Sequence, residues 1–412
     1  MNQFEGNQLI DVAVIGGGAA GFFAAIHAKT ESNRVVIFEK SNKFLSKVKI
    51  SGGGRCNVTN ATFDIDELAK NYPRGEKQLR KAFHQFNAKS TIDWFESRGV
   101  MLKTYPDNCI FPLANDSQVI IDCFLKEVSD KKIELKSQSS IQSIEKQDNC
   151  FVITSNNESV IAKKVIVTIG GQPKISGLSW LENIGLTIIH PVPSLFTFNM
   201  PKNPICELMG NVVEKTTVKI EGTKLVGRGP LLITHWGMSG PAILQLSAWG
   251  ARILEEKKYQ FAVFVNWLDM CKENELRDFL EKQKKEQGEK YLRNANPFPI
   301  TNKIWTFLLN KYELPENIRW KDLEKKSINK LVTALLFDRY TVSGKTTFKE
   351  EFVTAGGVSL SEIDFSTMES KKVRGLYFAG EVLDIDGITG GFNFQAAWTT
   401  GYIAGINSSK QN

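Results

Sequence analysis

Apolar positions near the N-terminus change their period in a fixed order. The run Ile10-Asp11-Val12-Ala13-Val14-Ile15 is nearly continuous and rich in β-branched residues, the pattern of a strand buried on both faces. It enters Gly16-Gly17-Gly18 and gives way to Ala19-Ala20-Gly21-Phe22-Phe23-Ala24-Ala25-Ile26, which predicts a helix over about 19–31. A second apolar run predicts a strand at about 34–39 that ends in Glu39. Leu79, Ala82, Phe83, Phe86, Ile92, Trp94 and Phe95 then recur near helical spacing over 76–99, and Val119 to Val128 reads as a helix. Ile141–Ile144 and Phe151–Thr154 alternate as antiparallel strands do. The apolar run from Lys164 to Ile169 ends on Gly170 and Gly171 and returns the chain to a parallel sheet.

From Pro191 the pattern changes. Strand-like pieces run to about Trp267, punctuated by Gly222, Gly227 and Gly229. Residues 269–336 are lysine- and glutamate-rich and helical, broken by Asn296-Pro297-Phe298-Pro299, and a strand pair at about 338–354 closes the insertion. Residues 1–190 with 355–412 thus read as a discontinuous α/β nucleotide-binding domain. Residues 191–268 with 337–354 read as a β-rich insertion, and 269–336 as a helical subdomain.

The first turn carries chemistry. Gly16, Gly18 and Gly21 have the G-x-G-x-x-G spacing that seats a dinucleotide pyrophosphate on a helix N-terminus. Glu39 follows Gly21 by 18 residues, where an acid can accept hydrogen bonds from a ribose hydroxyl. A second clamp lies near the C-terminus, where Leu376-Tyr377-Phe378-Ala379 leads into Gly380 and Glu381. Gly387, Gly390 and Gly391 then open another helix through Phe392 and Asn393, whose positive end suits the pyrimidine edge of a flavin. A nicotinamide enzyme needs no second clamp, so the pattern favours FAD. Gly227-Arg228-Gly229 runs into Pro230-Leu231, so the chain has one complete glycine motif; NADH or NADPH would visit as a transient donor. The expected cofactor contacts are Ile15, Gly16, Gly18, Ala19, Ala20 and Gly21, then Glu39, Lys40 and Lys47. The loop Ser51-Gly52-Gly53-Gly54-Arg55-Cys56-Asn57 joins them, with Thr168, Gly170 and Gly171, and with Gly380, Glu381, Gly390, Gly391, Phe392 and Asn393.

Charge adds a partner. Between Lys40 and Lys103 there are thirteen basic and six acidic residues, an excess equal to the whole chain's net charge of +7. Such a segment reads first as a solvated lysine-rich surface, with Tyr72, Phe83, Phe86 and Trp94 as core packing; the alternative is a surface that attracts polyanions, ribosomal RNA among them, with these rings stacking its bases. The cysteines Cys56, Cys109, Cys123, Cys150, Cys206 and Cys271 are scattered without a C-x-x-C, as are the four histidines, so no metal site is expected and reduced thiols fit a cytoplasmic setting. The polar start Met1–Gln8 has no signal-peptide layout, and no run reaches the ~20 apolar residues of a membrane helix.

Several stretches together resemble the BaiN/RdsA-type family of FAD-dependent oxidoreductases, nearly end to end. They are Val14–Gly21, Ile50–Asn60, Phe111-Pro112, Thr234–Gln245, Val353–Val358 and Leu376–Asp384. The resemblance implies a Rossmann-like FAD domain, an inserted β-barrel and a nested helical subdomain. Its branches include an enzyme making dihydrouridine in 23S ribosomal RNA, a reducer of a steroid enone and an oxidase of a small aminoketone. Two departures are visible. Gln172-Pro173-Lys174 replaces the family's polar turn after Gly171, and Cys109-Ile110 stands where Gly-Arg is usual before Phe111.

Uridine and a steroid enone both present a C=C bond conjugated to a carbonyl, which accepts hydride at one carbon and a proton at the other. Cys56, beside the cation of Arg55, has two readings: a thiol of lowered pKa that donates the proton or touches the flavin, or a small apolar contact in a tight loop. His235 is the second candidate, as an acid or as a residue that orients substrate, with a satisfied structural histidine as the alternative. Three functions follow: reduction of uridine in ribosomal RNA, turnover of a small enone or aminoketone, and RNA binding without turnover.

Overall fold

The computed structural model describes residues 9–156, 158–269, 272–346 and 353–410. Met1–Gln8, Cys271 and part of the expected strand pair at 338–354 lie outside the described residues. The chain divides into two compact units, Met1–Ser194 with Lys349–Asn412, and Leu195–Phe348.

The first unit is built on five parallel strands in the order Glu134–Lys136, Val35–Phe38, Ile10–Ile15, Ser159–Val167 and Leu376–Phe378. The register aligns their ends: Ile15 stands beside both Phe38 and Val167, and Val167 beside Phe378. Loops leaving these strands therefore emerge along one edge, where open α/β sheets bind ligands. The alternating runs at 141–155 form the expected antiparallel hairpin, Ile141–Gln147 with Cys150–Ser155. The helix Ala19–Ala28 crosses the C-terminal helix Phe392–Ser408 at two small residues. A Cβ on Gly401 would lie 2.9 Å from the Ala20 carbonyl oxygen, and one on Gly405 would lie 2.5 Å from that of Ala24.

The helical pattern over 76–99 resolves into two helices, Glu76–Phe83 and Ala88–Glu96. Asn87 stops the continuity because its side chain caps the Ser90 N–H while the Ser90 hydroxyl returns to the Asn87 N–H. Tyr72, Phe83, Phe86 and Trp94 are all buried in the core of this unit, as the packing reading expected, and the alternative of base stacking by these rings falls.

Among these rings lies His27, whose Nδ1 bonds the Phe23 carbonyl at 2.7 Å while its Nε2 accepts from the Trp94 indole at 3.2 Å. Both bonds are made by the neutral ring, and burial holds the pKa down at about 4 against 6.5 in the open chain. Between those values the unfolded chain binds the extra proton, so stability is complete above pH 6.5 and falls as pH drops toward 4. The accumulated loss is expected to be about 3 kcal/mol. Urea unfolding across this range should show that slope, and His27→Gln should flatten it.

The second unit holds a seven-stranded antiparallel sheet in the order Asp338–Ser343, Gln260–Asn266, Val212–Ile220, Val226–Thr234, Gly237–Ser239, Thr197–Asn199 and Lys345–Thr346. The lysine-rich region forms helices Glu273–Glu286, Asn302–Lys311 and Lys325–Leu336, whose apolar faces bury Trp305 and Trp320 beside Trp267. Two helices, Pro241–Trp249 and Ala251–Glu256, stand in a stretch expected to be strand-like. Gly240 followed by a proline at the first helical position was the local signal. No helix among the described residues is long and apolar enough to cross a membrane.

Candidate functional site

The strand edge gathers the first group of expected residues. Gly16 has φ +113°, and a Cβ there would fall 2.4 Å from the Thr168 carbonyl oxygen. Thr168 ties the turn from the neighbouring strand, its hydroxyl donating to the Ile15 and Gly16 carbonyls at 3.0 and 2.8 Å. A Cβ on Gly21 would lie 1.9 Å from the Gly16 carbonyl oxygen, so helix and turn touch there. Gly18 differs: its φ is an ordinary −92°, and no atom lies within 4 Å of its missing Cβ. The helix opening at Ala19 and Ala20 has no side-chain cap and no acid in its first turn. Its leading N–H groups are thus available to an anion. Glu39 accepts from the Gly17 N–H at 2.8 Å and from the Ser41 N–H at 2.9 Å, which sets its carboxylate beside the turn; Lys40 is exposed next to it.

The glycine loop is the end of a kinked helix rather than free coil. Ser46–Gly54 turns left-handed at Gly52, Gly53 and Gly54, with φ of +57°, +69° and +84°. Cys56 also takes a left-handed φ of +61°, and its N–H donates to the Ser51 carbonyl at 2.9 Å. Its side chain is fully buried. Burial pushes the thiol up to about 12, against the pull of Ser51, so the expected lowering by Arg55 is corrected. Arg55 instead turns outward over the Phe111 ring, 4.4 Å from its centre. Asn57, with its amide oriented to match its neighbours, donates to the Thr59 and Ile110 carbonyls and accepts from the Gly391 N–H at 3.1 Å.

That last bond joins the loop to the C-terminal clamp. Gly391 caps the helix Phe392–Ser408 at φ +91°, and a Cβ there would meet the Thr59 carbonyl at 2.4 Å. This helix also starts with no side-chain cap. Asn60 donates to the Gly390 carbonyl at 3.0 Å, and the Asn393 amide holds both backbone groups of Gly387. Tyr72 donates to the carbonyl of the buried Phe392 at 2.7 Å. Gly380, at φ +77°, donates to the Thr400 hydroxyl. Glu381 accepts from Lys47 at 3.0 Å and from the Thr354 N–H at 2.8 Å, and it abuts Gly171, where a Cβ would lie 2.5 Å from its oxygen. Gly170, at φ +71°, has open space in place of its Cβ. The pairing of Lys47 with Glu381 has no signal in the sequence, since 334 residues separate them.

His235 belongs to the second unit. It is exposed, with its ring 4.1 Å from that of Trp236.

The profile of the HI0933-like protein Rossmann domain matches residues 10–407. The chain belongs to the HI0933-like family. It is an FAD-dependent oxidoreductase, and the alternative of RNA binding without turnover falls. Among curated relatives, it is 29% identical over 402 residues to the ribosomal RNA dihydrouridine synthase of Escherichia coli K12, covering 95% of this chain and 96% of that one. It is 28% identical over 408 residues to the 3-dehydro-bile acid delta(4,6)-reductase of Clostridium scindens, covering 96% and 98%. Among solved structures, the 3-ketosteroid-delta4-(5alpha)-dehydrogenase of Rhodococcus jostii RHA1 superposes with a TM-score of 0.52 at 11% identity, over 99% of both chains, a likeness of fold.

Proposed function

We propose that this enzyme reduces the C5=C6 bond of a uridine in 23S ribosomal RNA. One observation carries the reading. Of the thirteen basic residues between Lys40 and Lys103, seven pair with carboxylates, and Lys40, Lys43, Arg55, Lys77, Lys81 and Lys103 pair with none among the described residues. These six cations are uncompensated by carboxylates, and phosphates are their natural counterions.

The residues at the strand edge fit FAD, because Gly18 leaves room for close approach and two helix N-termini lack caps. The N–H groups after Gly16, Gly18, Ala19 and Ala20 would hold the pyrophosphate, with Lys40 and Lys47 as counter-charges and Glu39 on a ribose. Thr168, Gly170, Gly171, Gly380 and Glu381 would flank the ribityl chain. Ser51 to Gly54, Cys56 and Asn57, with Gly390 to Asn393, would face the ring system, while Arg55 turns outward over Phe111. Bound and reduced, FAD supplies hydride to an electron-poor C=C bond. The protein must then turn the base out of its stack and protonate the neighbouring carbon. Cys56, protonated at neutral pH, and the solvent-facing His235 are the proposed acids. NADH or NADPH is the proposed donor. A second reading, a small steroid-like enone, is favoured by the near-equal likeness to the bile acid reductase.

Anaerobic mixing of the yellow protein with NADH or NADPH is expected to bleach it, with colour restored by RNA containing the target uridine. Mass mapping of ribosomal RNA from a deletion strain should show one dihydrouridine lost. An unchanged map together with rapid reoxidation by an enone would replace the first reading with the second.

A further inference from the structure

We propose that one face of the hairpin over residues 101–113, with Arg55 laid across it, is a docking platform for single-stranded RNA. The proposal rests on the RNA reading above and says where the strand lies. The hairpin pairs Leu102–Thr104 with Cys109–Pro112, and its register sets Lys103 opposite Phe111. The Leu113 N–H donates to the Met101 carbonyl at 2.9 Å, which extends the pairing outward. With a period of two, residues 101, 103 and 105 share a face with 111 and 113.

Cations and rings alternate on that face. The Arg55 guanidinium lies 4.4 Å over the centre of the Phe111 ring and is steadied by its Nε bond to the Gly52 carbonyl at 3.2 Å. Phe111 meets Tyr105 edge-on at 5.4 Å, and the Lys103 ammonium stands 5.2 Å from the Tyr105 ring. Arg55 and Lys103 are exposed, and neither has a carboxylate partner among the described residues. The nearby carboxylates are engaged: Asp116 lies 3.6 Å from Lys49, and Asp107 accepts the Cys109 N–H at 3.1 Å. Met101 and Leu113 sit side by side with 61% and 55% of their surface open.

Phe111, itself buried, backs the planar guanidinium, and the Arg55 side chain above it is exposed. An unstacked base has a face to lay on that plane, and the exposed Met101 and Leu113 offer apolar contact to its neighbour. Lys103 stands where a flanking phosphate would pass. A duplex keeps its base faces hidden, so it gains the phosphate contacts alone. The missing Cβ of Gly53 meets no atom within 4 Å, so the adjoining loop leaves room for a backbone to approach.

The test is fluorescence anisotropy of the FAD-loaded protein with a short labelled single-stranded RNA of mixed sequence. Lys103→Ala and the pair Met101→Ser with Leu113→Ser are each expected to weaken binding roughly tenfold while flavin absorbance per protein stays constant. Arg55→Lys keeps the charge and loses the plane, and it should weaken binding as well. Duplex RNA and phosphatidylglycerol vesicles should compete poorly. Wild-type affinity in Lys103→Ala and Arg55→Lys, or equal competition by vesicles, would overturn the platform. Weakened binding in the variants, with ribosomal RNA unaltered in the deletion strain, would uphold the platform and remove the uridine reading. Dihydrouridine lost in that strain, with every variant binding as wild type, would do the reverse.

Discussion

Gly18→Ala is expected to leave the fold intact and weaken FAD binding on the order of 10–100-fold. The three glycines of the motif have different reasons to be glycine. Gly16 and Gly21 are demanded by the protein itself, since a Cβ on either would lie 2.4 or 1.9 Å from a backbone oxygen. Gly21→Val should therefore fail to fold properly, and its loss of flavin would say little about the ligand. Gly18 has an ordinary φ of −92° and nothing within 4 Å of its absent Cβ. Nothing in the polypeptide excludes alanine there. If a pyrophosphate lies against that backbone, the added methyl meets it, and overpacking of 1–3 kcal/mol, written as affinity, is roughly the stated range. Thermal unfolding of the apo protein should be unchanged, while titration with FAD, read by flavin fluorescence, should show the weaker Kd. Wild-type affinity in the alanine variant would mean that the pyrophosphate is held elsewhere.

The parts of the fold legible in the sequence are those governed by local period. The strands Ile10–Ile15, Val35–Phe38 and Ser159–Val167 and the helix Gln118–Asp130 announced themselves because their burial repeats along the chain. The break at Asn87 was missed because apolar spacing continues across it while a cap of two short polar side chains interrupts it. The aromatic residues of 72–94 were ambiguous because a ring that stacks on a base and a ring that fills a core have the same spacing. Of the two readings of Cys56, the lowered thiol pKa failed for a related reason, while a buried contact in a tight loop agrees with the structure. Adjacency to Arg55 in sequence says nothing about which way the cation turns, and it turns outward onto Phe111. The face shared by Lys103, Tyr105 and Phe111 was invisible because only the hairpin register creates it.

The same limit applies to Arg74, read from the sequence as one more cation of a basic surface. In the structure its guanidinium forks onto Asp386, whose side chain is completely buried and which also accepts from the Ser194 hydroxyl at 2.6 Å. Asp386→Ala is expected to cost about 3–5 kcal/mol of stability, because it strands a guanidinium that is itself only 15% exposed. Urea unfolding should show that loss. Arg74→Met combined with Asp386→Leu should recover most of it, since replacing both charges removes the uncompensated one. Asp386 also precedes Gly387, which Asn393 grips through both backbone groups at the head of the C-terminal helix. The single variant should therefore shed flavin at temperatures where its secondary structure persists. The double variant should hold flavin as long as it holds its fold. A loss below about 1 kcal/mol in Asp386→Ala would put this pair among the many surface ion pairs that contribute little. It would also return Arg74 to the cations available for a phosphate.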